Sequence, residues 1–129
     1  MAACYTLKVL TDFASAHSLR GYPGDCQRLH GHNWKVEVEV RASALDDIGM
    51  AIDFKAVKQA AREVGGLLDH RYLNDIAPFD RLNPTAENIA AWYHGQLVER
   101  LNNERVRVHA VTLWETERAC VRYSEDPAA

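Results

Sequence analysis

Apolar and polar residues alternate along the first third of the chain and then shift to a spacing of three to four. Tyr5, Leu7 and Val9 alternate with Thr6 and Lys8, the period of a strand with one buried face, and this segment ends near Phe13–His17. Trp34, Val36, Val38 and Val40 alternate with Lys35, Glu37, Glu39 and Arg41, which makes the clearest strand in the sequence. Between the two, residues 18–29 contain Gly21, Pro23 and Gly24 and read as a long loop. Asp53 is placed to cap a helix whose apolar stripe is Phe54, Val57, Ala61, Val64 and Leu68, with Gly65-Gly66 weakening its last turn. After a loop through Pro78 and Pro84, Thr85 opens a second helix, with Ala86, Ile89, Trp92, Tyr93 and Leu97 apolar and Asn102-Asn103 at its end. Val106–Trp114 and Ala119–Tyr123 are β-rich and separated by the charged Glu115–Arg118, and Ser124–Ala129 reads as a frayed tail.

This order, ββααββ, predicts an α+β fold: a four-stranded antiparallel sheet with both helices on one face. Residues 1–129 then form a single domain, with no repeat and no linker. The composition, 47% hydrophobic and 26% charged, is that of a globular chain with a core of its own. A net charge of −3 provides no positive field for a phosphate backbone, which argues against direct nucleic-acid binding. No apolar run is long enough to span a bilayer, and the N-terminus lacks a secretion signal. The three cysteines, Cys4, Cys26 and Cys120, cannot all pair within one chain. A cytoplasmic setting with free thiols is expected.

The sharpest chemical feature is His30-Gly31-His32. Residues two apart on a strand share a face, and both histidines have the parity of Trp34 and Val36, so both aim at the apolar side. Two imidazoles on a dry face are costly when charged, and a shared metal ion removes that cost, Zn²⁺ favouring neutral imidazole. The plainer alternative is two ordinary histidines satisfied by backbone carbonyls. His17, at the end of the preceding strand, is placed as a third ligand, which would leave one tetrahedral position open as in catalytic zinc sites. Cys26, four residues before His30, is either a fourth ligand or a free thiol activated near a cation.

Asp69-His70 is an adjacent pair in which a carboxylate can orient an imidazole for proton transfer, or simply a solvated helix end. Glu115 ends an apolar strand and could accept from a planar N–H edge, or belong to a charged turn. Cys4 and Cys120 read as small buried strand residues, His94 as an exposed helix residue and His109 as an ordinary strand residue.

Taken together, these segments resemble the 6-pyruvoyl-tetrahydropterin synthase superfamily, and within it the carboxy-forming branch of queuosine biosynthesis. The matching residues are Phe13-Ala14-Ser15-Ala16-His17, Cys26-Gln27-Arg28-Leu29-His30-Gly31-His32, Gly49-Met50-Ala51-Ile52-Asp53-Phe54, Leu68-Asp69-His70-Arg71-Tyr72-Leu73-Asn74-Asp75, Asn83-Pro84-Thr85-Ala86-Glu87 and Glu115-Thr116, in family order over nearly the whole chain. The resemblance implies His17, His30 and His32 as Zn²⁺ ligands, Cys26 as the catalytic thiol, Asp69 with His70 as a proton-transfer pair, and Glu115 as the anchor of a pterin ring. It implies the tunnelling fold, in which subunit sheets join edge to edge, and a homo-oligomer, a hexamer, with active sites between subunits. The implied reaction converts 7,8-dihydroneopterin triphosphate to 6-carboxy-5,6,7,8-tetrahydropterin, acetaldehyde and triphosphate. The three residues between Cys26 and His30 match the carboxy-forming branch, whereas pyruvoyl synthases tend to have a longer gap. The alternatives are a pyruvoyl-type triphosphate elimination on the same substrate, an aldolase-like activity on dihydroneopterin phosphates, and a zinc-stabilised binding module. After His17 the chain reads Ser18-Leu19-Arg20, without the basic residue that directly follows in some relatives; Arg28, Lys35 and Arg71 are the cations considered for the triphosphate.

Overall fold

The computed structural model describes residues 3–125. Its elements are β1 (Tyr5–His17), β2 (His30–Ala42), α1 (Phe54–Gly66), β3 (Arg71–Tyr72), α2 (Ala86–Leu101), β4 (Val106–Thr116) and β5 (Ala119–Ser124). They build one five-stranded sheet in the order β3-β1-β2-β4-β5. The four long strands pair antiparallel, as the order of elements predicts. The fifth strand corrects the expected four-stranded antiparallel sheet and the ββααββ order. β3 lies between the helices in sequence and pairs parallel to β1, with Arg71 opposite Ser15 and Tyr72 opposite Ala16, so the sheet is mixed. Two residues are too few to show a period, which is why this strand is silent in the sequence.

Each helix begins where a side chain can satisfy its first amides. Asp53 accepts from the backbone N–H of Lys55, and Thr85 from that of Asn88. Val57, Ala61, Val64 and Leu68 of the first stripe are fully buried, but Phe54 is exposed. The packed face of α1 therefore starts one turn in. The helix also runs through Gly65-Gly66. At Gly65 a Cβ would meet the Tyr93 hydroxyl at 3.1 Å, so the missing side chain lets α2 approach, and that hydroxyl donates to the Ala61 carbonyl.

Ile89, Tyr93 and Leu97 bury the α2 stripe against the sheet. His94 is buried beside them, its ring edge-on to Tyr123, where the sequence suggested exposure; α2 packs on both β4 and β5 and hides a wider face than one stripe. Cys4 and Cys120 are exposed rather than buried. Cys120 belongs to β5, an edge strand with one neighbour, and β-rich composition says nothing about edge position. Ser124 closes β5 instead of starting a tail, and 126–129 lie outside the described residues. Among the described residues, no helix is long and apolar enough to cross a membrane.

The face of the sheet away from the helices carries Lys8, Glu37, Glu39 and Arg41. Arg122 there makes a two-pronged ion pair with Glu39, at 2.8 and 3.2 Å, and holds the Glu39 carboxyl below its usual range. A register shift on β4 near Trp114 carries the strand on through Glu115 and Thr116, two residues the sequence assigned to a charged turn.

Candidate functional site

The β1–β2 register places three imidazoles at one end of the sheet. His17 pairs with His30, and Ser15 with His32, so all three rings face the helix side by the two-residue period. Their centroids are 4.5 to 5.2 Å apart, and one nitrogen from each lies within 4.8 Å of the other two. Trp34 packs edge-on against His17 and His32 and walls the cluster on the core side.

Hydrogen bonding fixes the tautomers of two rings. His17 Nδ1 lies 2.8 Å from the Pro84 carbonyl, and His30 Nδ1 2.8 Å from the Arg28 carbonyl. A carbonyl only accepts, so both Nδ1 atoms carry the proton and both Nε2 atoms keep a bare lone pair. His17 Nε2 and His32 Nε2 are buried without a hydrogen-bond partner. Burial, first among the causes, pushes the pKa of both rings down and keeps them neutral. Buried lone pairs with nothing to accept are what a metal cation satisfies, and an all-imidazole set suits Zn²⁺.

The fourth side chain here is Glu115. Its two oxygens lie 3.9 Å from His17 Nε2 and 3.9 Å from His32 Nε2. Glu115 also lines a cavity of about 440 Å³ with Cys26, Leu19, Tyr22, Thr85 and Glu87. Cys26 is half-buried on a single 3₁₀ turn, Asp25–Gln27, entered through Gly24 at φ 127°, and its carbonyl accepts from Leu19 N–H at 2.8 Å. Cys26 and Glu115 thus share one cavity beside the imidazoles.

Asp69 and His70 sit apart from this cavity. Asp69 accepts from the Ala14 N–H at 2.8 Å and from His70 Nδ1 at 2.9 Å, and those two bonds, in that order of weight, hold its carboxyl below the usual range. His70 adopts a left-handed backbone, φ 56°, and donates its N–H to the Ala14 carbonyl. Its side chain is 83% exposed. With Arg71 it lines a second cavity, of about 470 Å³, over the paired ends of β1 and β2, walled by Ala14, Ser15, Ala16, Gly31, His32 and Asn33. Lys35 is held over the Trp114 ring at 5.1 Å, beside a smaller cavity that also includes Asn33. Arg28 contributes its carbonyl to His30.

Sequence reasoning attached no role to several residues that hold the site. Asn74 clasps Ser18 from both sides, accepting its N–H and donating to its carbonyl, and Asn83 does the same with Arg20. The Arg20 guanidinium adds a bond to the Phe79 carbonyl at 2.7 Å. These clamps fasten the chain after His17 to the segment that presents the Pro84 carbonyl. Glu87 adds a second carboxylate to the Cys26–Glu115 cavity. The signal was an amide side chain in a polar, proline-containing loop, where it can stand in for a missing backbone partner.

An α+β sheet with an imidazole cluster that could hold a metal ion at one end, beside a thiol- and carboxylate-lined cavity, fits the class of small-molecule enzymes, and the comparisons narrow it. The family model for 6-pyruvoyl tetrahydropterin synthase matches residues 6–126, and the chain belongs to that family. An Archaeoglobus fulgidus protein is 40% identical over 101 residues, 78% of this chain and 83% of its own. The 6-carboxy-5,6,7,8-tetrahydropterin synthase of Synechocystis sp. is 36% identical over 116 residues, 86% of each chain. The 6-pyruvoyl tetrahydrobiopterin synthase of Dictyostelium discoideum is 30% identical over 118 residues, covering 90% of this chain and 85% of its own. The structure of Caenorhabditis elegans 6-pyruvoyl tetrahydropterin synthase superposes with a TM-score of 0.85 at 26% identity, over 97% of this chain and 98% of that one.

Proposed function

We propose that this protein is a carbon–carbon lyase, a 6-carboxy-5,6,7,8-tetrahydropterin synthase. It converts 7,8-dihydroneopterin triphosphate and water to 6-carboxy-5,6,7,8-tetrahydropterin, acetaldehyde and triphosphate. The observation that carries this reading is the Glu115 carboxylate, which lines one cavity with Cys26 and lies 3.9 Å from two imidazole nitrogens, His17 Nε2 and His32 Nε2, that have no hydrogen-bond partner. The Cys26–His30 spacing and the carboxy-forming relatives support this branch.

His17, His30 and His32 hold the metal, Zn²⁺, which when bound supplies Lewis-acid polarisation of substrate oxygens. Glu115 accepts from the donor edge of the pterin ring, and Glu87 lines the same cavity as a second acceptor. A ring lacking those donors would leave carboxylates unpaired, which is a basis for selectivity. Cys26, as thiolate, takes a proton from the substrate side chain, and His70 moves the other, oriented by a charged Asp69. Cys26 and His70 line different cavities of one chain, so the complete site draws His70 from a second copy. The assembly is a homo-oligomer, a hexamer, joined through sheet edges such as β5.

The test is a product assay under anaerobic conditions with zinc-loaded protein. One acetaldehyde released per pterin consumed, with a 6-carboxy product by mass, is expected. Triphosphate release with all side-chain carbons retained would instead establish the pyruvoyl-type elimination, the reading favoured by the Dictyostelium relative.

A further inference from the structure

Glu115 stands in an arrangement that anchoring a ring does not explain. Its carboxylate straddles two buried imidazole nitrogens, one oxygen 3.9 Å from each. That is too long for a hydrogen bond. It is also chemically unsatisfied as it stands. His17 Nε2 carries a lone pair, because the ring proton is on Nδ1 and engaged by the Pro84 carbonyl. A lone pair and a carboxylate oxygen therefore face each other, two acceptors with no donor between them. A cation between them turns that contact into attraction for both groups, whereas protonating His17 is disfavoured because the ring is fully buried behind Trp34.

The spacing suits a cation. Two bonds of about 2.1 Å meeting at a tetrahedral angle hold their ligand atoms about 3.4 Å apart, a few tenths of an ångström less than the separation here. The strand supports the same placement. The register shift between Trp114 and Thr116 leaves Glu115 outside the β4–β5 pairing, so its direction is released from strict alternation.

We infer that Glu115 is the fourth ligand of the metal before substrate arrives and leaves it for the pterin ring. The same carboxylate serves both places because it lies on the boundary between the imidazole cluster and the Cys26 cavity. Ring binding then opens the coordination position that the substrate needs, so that the metal is exposed only when a pterin is in place. This inference rests on the proposed pterin reading for its second half only; ligation by Glu115 stands or falls without any pterin.

The experiment uses the full-length protein loaded with Co²⁺ in place of Zn²⁺, with wild type, Glu115→Gln and Glu115→Asp compared. Visible absorption reports the ligand set, and competition with a chelator reports Zn²⁺ affinity. Glu115→Asp keeps the charge but draws the carboxylate back by one carbon, and so separates ligation from attraction through space. Both variants are expected to change the cobalt spectrum and to lower Zn²⁺ affinity by about tenfold or more, while circular dichroism stays that of wild type. Superimposable spectra with equal affinities in all three proteins would overturn the inference. So would wild-type spectrum and affinity in Glu115→Asp alone, which would make Glu115 only a nearby charge. The probe for the second half is 6-methylpterin, which has the ring but no side-chain hydroxyls to reach the metal. Its binding should shift the wild-type cobalt spectrum and leave that of Glu115→Gln unchanged. Binding of 6-methylpterin, seen by its own fluorescence, without a spectral shift would overturn the exchange. Failure of 6-methylpterin to bind wild type would count against the pterin reading, while the three-protein comparison would still decide ligation.

Discussion

The two clusters of chemistry in this chain are opposites in how they are held. The imidazoles of His17, His30 and His32 are sheltered and drawn together by strand register, yet two of their nitrogens have no partner. The Asp69–His70 pair is fully hydrogen-bonded at the carboxylate and locked by a left-handed backbone, yet His70 stands 83% exposed. One cluster offers lone pairs that a cation would satisfy. The other has its orientation and lacks surroundings. If His70 is the proposed proton-transfer group, a second copy placed over it would provide the dry setting in which such a group works best. The difference teaches that a cluster can be built by strand register or by local hydrogen bonds, and that the first shelters its groups while the second leaves them open to solvent.

Removing a ligand should break the first cluster most severely. His17→Ala is expected to lower metal affinity by more than the roughly 10–100-fold that outer-shell partners control, and to take turnover to background. Metal content of the purified variant and chelator competition measure it; retained stoichiometric metal would remove His17 from the site.

Changes in the second cluster should leave metal content alone. His70→Ala and Asp69→Asn are expected to lower turnover by about 10²–10⁴-fold, the scale of acid–base contributions, with metal bound as in wild type. The comparison sharpens when variants are mixed. Refolded or co-expressed Cys26→Ala and His70→Ala chains should recover activity in about a quarter of sites if each site draws on two copies at random. No recovery above the separate variants would place both residues' work within one chain.

Chelation should cost activity before structure. The imidazoles lie at the sheet's end, and the core of Val36, Val38, Leu113, Ile89 and Tyr93 does not involve them. Stripping metal present at 100 times its Kd should lower the unfolding free energy by about 2.7 kcal/mol, with the circular dichroism of the folded protein retained. Cooperative unfolding on chelator addition at room temperature would make the site structural.

The smallest expected effect lies away from both clusters and serves as a control on their difference. Glu39 is almost fully buried and Arg122 half exposed, so Glu39→Gln should cost about 1–2 kcal/mol, less than a fully buried pair. The Glu39 pKa is lowered in the folded state, so the pair's contribution is present above the unfolded value of 4.5 and is lost as pH falls through the lower folded value. Denaturant titrations from pH 7 to pH 3 should show wild type and Glu39→Gln converging. A constant gap would mean that the ion pair is not what separates them.

Much of this architecture was legible in residue order alone. Alternation located β1 and β2, β-rich composition located β4 and β5, and Asp53 and Thr85 announced the helix starts, because period, composition and capping are local properties. The parity of His30, His32 and Trp34 put both imidazoles on the apolar face, and the register bears that out. Other features had no local signal. β3 is two residues long, and its parallel pairing to β1 exists only because the turn after α1 brings Asp69 and His70 to the Ala14 backbone. The Pro84 carbonyl that sets the His17 tautomer comes from 67 residues away. The approach of Glu115 to two imidazoles depends on a break in strand register that no residue pattern encodes. The sequence by itself determined which faces are dry and which residue types can do chemistry, since those follow from side chains and a repeating backbone. Only the tertiary structure decided which of them meet, because contacts between distant segments depend on how elements pack and not on any period along the chain.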